Sequence, residues 1–504
     1  MSRGVGAVPS CELSSAPEPR YRLSSTYRAG ERLGCIVSSA LARVCRSLES
    51  SASGSALLRA AGWLKEAIRG AASGSFLVRT FWPLARMALA SYGSPLTVDT
   101  VLGLALAVAC VAPTEAVFLA GAGAFALCLW DGVKRSGDGG PIWHLPGFGM
   151  VSAILAVFLF LVGATFSSVL PSKSLSNLVI WCFYLMFFFV AADRSQRGRL
   201  ENVVWPFLTG ATLTGLVGIY QKFSGWRPPK VWVDPSFQDE IIRVVGTFTN
   251  PVFFAEMLGL SLPLVIALLF SKEDWRDRLV LFGFAAVQGA GLILSSSRGA
   301  WLGFALSFCI MAVLYDWRLL PRGLALGLVG LFLAPQILIK RLLSAFSLTD
   351  SSNAYRIFIW RGSLAMLKAN LLRGVGLGAE SYSKVYPEYM IVQTPAPHAH
   401  STFLQFLIEV GLLGFLAMAS FFIIWLIDVL KVSLARSGKR GARPTEIVLL
   451  AGAVGAVGGN LLEGLVDYTW YSPRVTSVFW AIVGIAAGIA TSKIREAQHG
   501  GRAK

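Results

Sequence analysis

The sequence predicts an all-α, polytopic helical membrane protein with about twelve transmembrane helices. Three observations carry that expectation. Of the 504 residues, 55% are hydrophobic and only 14% charged, more apolar sequence than a soluble core can use. From about Thr97 onward, apolar runs recur near the ~20 residues needed to cross ~30 Å of hydrocarbon. Lysine and arginine gather in alternate short loops, as in a chain that threads a bilayer back and forth. Helix is the required conformation, because unpaired backbone groups in hydrocarbon cost too much.

The expected spans are 95–112, 115–130, 149–169, 175–192, 203–221, 252–270, 278–295, 299–315, 322–338, 402–428, 446–466 and 475–491. The first two form a tight hairpin around Ala112-Pro113-Thr114-Glu115. One set of loops carries Lys134 and Arg135, then Arg194, Arg197 and Arg199, then Lys272, Arg276 and Arg278, then Arg318 and Arg322, and finally Lys431, Arg436, Lys439, Arg440 and Arg443. These read as cytoplasmic, which puts both termini inside. The alternate set faces outward: 222–250, the turn Ser295-Ser296-Ser297-Arg298, the long segment 339–401, and the turn from Tyr468 to Arg474. The chain therefore divides into a basic cytoplasmic leader (1–92), a membrane domain (93–492) with a long extracytoplasmic loop (339–401), and a basic cytoplasmic tail (493–504). The expected location is the cytoplasmic (inner) membrane.

The net charge of +17 raises nucleic acid as a partner, but the cytoplasmic loops and the leader account for the excess. Membrane lipids are the expected partner, and nucleic acid is not. Within the leader, Leu57 to Arg69 has the pattern of an amphipathic helix lying on anionic lipid; docking of a cytoplasmic partner is the alternative. No signal-peptide pattern is present. Cys11, Cys35 and Cys45 fall in the leader and Cys110, Cys128, Cys182 and Cys309 within spans, so neither an outward disulfide nor a thiolate metal site is expected.

Two of the four histidines, His398 and His400, stand together in Pro397-His398-Ala399-His400-Ser401-Thr402-Phe403-Leu404-Gln405, at the outward mouth of a span. Histidine exchanges protons near neutral pH, so the pair suggests proton transfer; a metal ligand, a pH sensor and a satisfied interfacial histidine stay open. The acids that enter apolar runs away from a cytoplasmic end are Glu256, Glu409, Glu463 and Asp467, all at the outward ends of their spans. Such residues are costly in a bilayer and mark function. They gather at one level, which suits a site open to the outer leaflet better than a conduction path. Arg243 and Arg298 add cations on the same side, suited to phosphate or diphosphate, with snorkelling to lipid headgroups as the alternative. In the long loop, Ile357, Trp360, Leu364 and Leu367 recur at helical spacing between Asn353 and Asn370, with Arg356, Arg361 and Lys368 off that stripe. This predicts an amphipathic helix on the outer membrane surface, covering a cleft or making headgroup contacts only. Gly374-Val375-Gly376-Leu377-Gly378 reads as a flexible turn, without the strand and helix of a dinucleotide fold.

Together these motifs resemble the O-antigen ligase and O-antigen polymerase superfamily of bacterial membrane glycosyltransferases. The resemblance rests on Gly246-Thr247-Phe248-Thr249-Asn250-Pro251, Ser297-Arg298-Gly299-Ala300-Trp301-Leu302, Arg356-x-x-x-Trp360 followed by Gly374-Val375-Gly376, and the histidine motif followed by Gly411, over roughly residues 200 to 430. Position 401 is Ser where the family often has Asn, which keeps a polar helix cap.

The resemblance implies a GT-C-like fold. It also implies glycan transfer from an undecaprenyl diphosphate-linked donor to a glycan or lipid acceptor hydroxyl at the outer face of the membrane. On that reading Arg298, with Arg243, stabilises the departing diphosphate and His400 is the general base. His398, Arg356 and Glu256 bind substrate or support those groups. No cofactor and no metal are expected, since the first external turn offers only Glu115 where related enzymes place acidic metal ligands. A repeat-unit polymerase and a protein O-oligosaccharyltransferase share these motifs. A secondary transporter or flippase would predict inverted repeats, broken helices or ionisable groups near the midplane, and the sequence offers none of these.

Overall fold

The computed structural model describes residues 97–137, 140–197, 200–229, 242–346, 351–435 and 444–500. The leader 1–92, with its expected surface helix and three cysteines, lies outside them, as do Arg199, Arg436, Lys439, Arg440, Arg443, Arg502 and Lys504. Every regular element among the described residues is helical. In chain order they are α1 (Val98–Val111), α2 (Thr114–Gly137), α3 (Phe148–Phe166), α4 (Pro171–Ser195), α5 (Leu200–Phe223), α6 (Pro251–Ser271), α7 (Trp275–Leu294), α8 (Arg298–Tyr315), α9 (Leu319–Leu333), α10 (Gln336–Leu343), α11 (Ser351–Ala369), α12 (Ala379–Val385), α13 (Thr402–Ala435), α14 (Thr445–Glu463) and α15 (Pro473–Gly500).

Each expected span corresponds to one of these helices or to one bent pair. Ten described helices are long and apolar enough to cross a membrane. The first expected span is shorter than read: α1 has 14 residues, about 21 Å at the helical rise. The ninth is not straight. Its chain bends by 119° between α9 and α10, at Ala334-Pro335, where proline cannot donate to the helical ladder.

The centre of the bundle is α15, whose most apolar window is 94% buried. It packs along α4, while α14 packs along α8 and α6. Gly303 and Ser307 of α8 meet Gly455 and Gly459 of α14 almost backbone to backbone, the small-residue packing that membrane helices favour. That contact fixes the start of α8, which carries Arg298, against the end of α14.

Charged side chains sort to two ends. At one end Arg194 pairs with Asp99 (2.6 Å) and Asp131 (2.8 Å), Lys272 with Glu201 (2.7 Å), and Lys493 with Glu446 (2.8 Å). These belong to the loops and helix ends read as cytoplasmic. The opposite end collects the starts of α6, α8, α13 and α15 and, above them, the chain from α11 to His400. That stretch builds a small core of its own from Ile359, Met366, Val375, Tyr382, Ala399 and Ile408. The packed face of α11 overlaps the expected stripe only in part: Leu367 is buried with Ile359 and Met366, whereas Leu364 is 48% exposed.

Candidate functional site

The site begins where α13 starts. Leu404 N–H donates to Ser401 Oγ, so serine caps this helix as expected. Nine residues into α13, Gly411 adopts φ 73°, ψ 178°, a conformation open essentially to glycine, and the helix breaks. The break releases the carbonyls of Ile408 and Glu409, and Val375 N–H (2.9 Å) and Gly376 N–H (3.2 Å) take them up. The glycine-rich segment is thus bonded in place rather than a flexible turn. Gly374 (φ 68°) allows the approach, since a Cβ there would run into the Glu409 carbonyl. Sequence, kink and cap together fix the first two turns of α13 and the histidine motif in front of them.

Within that motif Ala399 is fully buried, and its N–H donates to Gln405 Oε1 (2.8 Å). Gln405 in turn donates to Glu409 (2.7 Å). With Ala399 anchored inward, the flanking imidazoles face each other, 4.2 Å between centroids. His400 has φ 47°, the left-handed region that a non-glycine residue seldom occupies, and Trp360 Nε1–H of α11 holds its carbonyl (3.2 Å).

The turn after α14 closes the site. Thr402 N–H donates to the carbonyls of Gly464 (2.7 Å) and Asp467 (3.0 Å), stitching the turn to the start of α13. The Asp467 carboxylate then stands between two partners: Arg356 Nη2 at 3.0 Å and His400 Nδ1 at 3.6 Å. Burial works against the charged form of Asp467, but Arg356, then His400 and His398, more than offset it, and the carboxyl is held below the usual aspartate range. His398 is held low, at about 3, mainly by burial and then by the neighbouring His400; Arg356 adds to this and Asp467 opposes it. Its Nδ1 accepts the His400 N–H (3.2 Å), so the neutral ring carries its proton on Nε2.

Arg298 starts α8, 8% exposed, after a serine turn in which Ser296 has φ 54° and Trp301 Nε1–H holds the Leu292 carbonyl (2.8 Å). Among its partners are Ser344 Oγ (2.7 Å) and Asn353 Oδ1 (3.4 Å), to which its guanidinium donates. Asn353 lies one turn before Arg356 on α11. Arg243 Nε–H donates to the Ser295 carbonyl (3.2 Å), three residues before Arg298. The contacts therefore run in order from Arg243 and Arg298 through α11 to Arg356, Asp467, His400 and His398.

Glu256 lies behind these residues, within electrostatic reach of Asp467. It is 1% exposed on α6 and lines a tight gap with Glu463 and Asn460, its two carboxylate oxygens without hydrogen-bond partners. The Gly246–Pro251 motif builds the start of α6: Asn250 Oδ1 caps Val252 N–H (2.8 Å), and Arg474 donates to the Thr247 carbonyl (3.0 Å). Among the described residues no group of three or more His, Cys, Asp or Glu is placed to hold a metal ion.

Beyond the histidines opens a cavity of about 680 Å³, lined by Trp181, Tyr184, Glu380, Tyr468, Trp470 and Tyr471 among others. His398 packs on Tyr468 and Tyr471, with centroids at 5.5 and 4.9 Å. Sequence reasoning saw Asp467 as one of several outward acids but did not pair it, and it missed Trp360 as a backbone clamp. The aromatic density of Tyr468-Thr469-Trp470-Tyr471, directly after an acid, was the available signal.

Residues 281–419 match the family model described as O-Antigen ligase. The matched stretch runs from α7 into α13 and contains Arg298, Arg356, His398, His400 and Gly411. No curated protein matches the chain.

Proposed function

We propose that this member of the O-antigen ligase superfamily transfers a glycan from an undecaprenyl diphosphate carrier to an acceptor hydroxyl at the outer face of the cytoplasmic membrane. The observation that carries the reading is the bridge made by Asp467 between Arg356 and His400. A carboxylate 3.6 Å from Nδ1, just beyond hydrogen-bond reach, favours the imidazole proton on that nitrogen by charge and leaves the Nε2 lone pair for a hydroxyl proton. His398 cannot take that role, because its Nδ1 is used by the His400 amide and its Nε2 already carries hydrogen. It serves instead as a hydrogen-bond donor.

The acceptor oxygen bonds to the anomeric carbon as the bond from that carbon to the diphosphate oxygen breaks. The electron pair leaves with the diphosphate, and the hydroxyl proton passes to His400 Nε2. Asp467 stabilises the imidazolium that forms. Arg298 and Arg243 face the growing negative charge on the diphosphate, the term that preorganised cations supply best in a site shielded from water. Arg356, tied to Asp467, orients the carboxylate and adds positive charge between the two ends. Glu256, closed off between α6, α8 and α14, supports the packing of the site from behind rather than meeting substrate.

The test is transfer by purified protein from undecaprenyl diphosphate glycan to candidate acceptors. His400→Ala and Arg298→Ala are each expected to lower transfer at least about 100-fold. Unchanged transfer in both overturns the mechanism. Direct displacement inverts the anomeric centre, and NMR of the product linkage reads this; a retained configuration rules it out.

A further inference from the structure

We propose that the gap between α6, α8 and α14 binds one desolvated monovalent cation of sodium size, held by Glu256, Glu463 and Asn460. Such a site does not depend on the transfer reading above. It lies at the outward end of the bundle: Glu256 stands in the second turn of α6, Ala300 in the first turn of α8, and Glu463 is the last residue of α14. The gap is small, about 10 Å³, room for one particle the size of a water molecule. Close approach of α8 and α14 narrows it, since a Cβ on Gly303 would lie 2.8 Å from the Gly459 carbonyl. Among the side chains that line it, four buried atoms have no hydrogen-bond partner: both carboxylate oxygens of Glu256, Glu463 Oε1 and Asn460 Oδ1. All four are acceptors. The hydroxyl in the wall, Ser307 Oγ, already donates to the Gly303 carbonyl (3.0 Å). Asn460 matters apart from the two acids: it is a neutral amide, 4% exposed, and its oxygen calls for a donor or a cation whatever the charge of its neighbours.

Such a wall suits a bare cation. Buried carboxylates persist when they are paired, hydrogen-bonded or bound to a metal ion. A water molecule donates two hydrogens, leaves two of the four acceptors open and neutralises no charge. A proton on each acid would neutralise both but occupy no volume, against the close packing of protein interiors. Ca2+ gathers about 6–8 oxygens and Mg2+ keeps several waters, more than one water-sized gap admits. Charge argues the same way. The other charges within reach of the two acids are Asp467 and Arg356, and Arg356 is already bonded to Asp467. Arg356 and a monovalent ion together offset two of the three carboxylates, and the negative charge that remains is the one Asp467 presents to His400. A divalent ion would cancel that charge as well. The ion ties α6 to the end of α14, the two helices that flank the start of α8, and so braces the turn that carries Arg298.

The full chain in lipid nanodiscs is to be melted in choline chloride and in NaCl at constant ionic strength and pH, and titrated with Na+ by sodium NMR. Choline is too large for the gap, so Na+ alone should raise Tm, saturably and by about 2 °C or more, with broadening of the sodium line over the same range. Glu256→Gln keeps the shape and removes one charge; it should raise the apparent Kd for Na+ at least about tenfold while melting in choline no lower than the wild type. Asn460→Ala should also weaken Na+ at least about tenfold, and it serves as the second variant if Glu256→Gln does not fold. A wild-type Tm and sodium line that are the same in NaCl and choline chloride overturn the proposal. So does a Tm that follows pH but not Na+, which would assign protons to the two acids, and so does a Na+ response that either folded variant leaves unchanged. None of these readings involves transfer, so their failure leaves the glycan-transfer reading untouched and its failure leaves them standing.

Discussion

Replacing Asp467 by Asn isolates the charge that the mechanism requires while sparing the fold. The turn is stitched to α13 through the Asp467 backbone carbonyl, which asparagine keeps, and Tyr468 N–H donates to Asp467 Oδ1 (2.9 Å), a bond an amide oxygen can also accept. What disappears is the attraction between carboxylate and imidazolium. At 3.6 Å and an effective dielectric constant of about 20, Coulomb's law gives roughly 4–5 kcal/mol. The two side chains are 16% and 22% exposed and Arg356 shares the carboxylate, so about half of this is a fair expectation, roughly 2–3 kcal/mol in the transition state. That corresponds to a fall in kcat of roughly 30- to 160-fold. Steady-state transfer with saturating donor measures it, and Asp467→Glu, which keeps the charge, should recover part of the loss. If Asp467→Asn stays within threefold of the wild type while His400→Ala is inactive, Asp467 does not act on His400 and the assignment of the base loses its physical support.

Gly411→Ala meets a backbone conformation closed to alanine and a clash with the Leu372 carbonyl, so a loss of at least about 1–3 kcal/mol should appear as a lower melting temperature. Trp360→Phe keeps the ring but drops the hydrogen bond to the His400 carbonyl, and transfer should fall roughly tenfold at unchanged stability, read by kcat beside a melting curve. His398 is held at about 3, below its ordinary 6.5, mainly by burial. Between those values the unfolded chain binds the extra proton, so stability is full above about pH 6.5 and declines as pH falls, by up to about 2 kcal/mol near pH 5. His398→Gln should flatten that decline in melting temperature, and an unchanged slope would show that His398 is not its source. With arginines assigned the cationic charge in the proposed mechanism, transfer should persist in excess EDTA; abolition reversed by added divalent metal would refute the metal-independent scheme.

Hydropathy made the spans legible because crossing hydrocarbon fixes both length and composition. It said less where other terms compete. The apolar run 322–338 hides a 119° bend at Ala334-Pro335, and a window average cannot tell a straight helix from a broken one. Of the α11 stripe Ile357, Trp360, Leu364 and Leu367, Leu367 is buried, but Leu364 is exposed and Ile359 and Met366 pack instead, since the partner surface decides which of two overlapping faces packs. Arg298 and the histidine motif could be singled out because each is an unusual residue at the mouth of an apolar run. Asp467 could not be paired in the same way: it lies 67 residues from His400 and 111 from Arg356, so no local period links them, and only the stitching of Thr402 to the 464–469 turn brings them together. Glu256, grouped with the site because all the acids share one level, sits in a closed gap of the α6, α8 and α14 interface, beside Glu463 and within electrostatic reach of Asp467.

The two ends of the site also differ in where they come from along the chain. The family-matched stretch 281–419 supplies Arg298, Arg356, both histidines and the Gly411 break, to which the proposed mechanism assigns the anion end, the base and the kink that orients it. The carboxylate that tunes the base and most of the aromatic wall come from elsewhere: Asp467, Tyr468, Trp470 and Tyr471 from the turn before α15, and Trp181 from α4. The proposed base and the aromatic turn beside it thus come from different segments that meet at one pair of imidazoles. Changes in the 468–471 turn can then alter the shape of the cavity without moving Arg298, whose position is set by the α8–α14 glycine contact and the serine turn. Substitutions there, Asp467 apart, should change which acceptor is used before they change whether the diphosphate can leave.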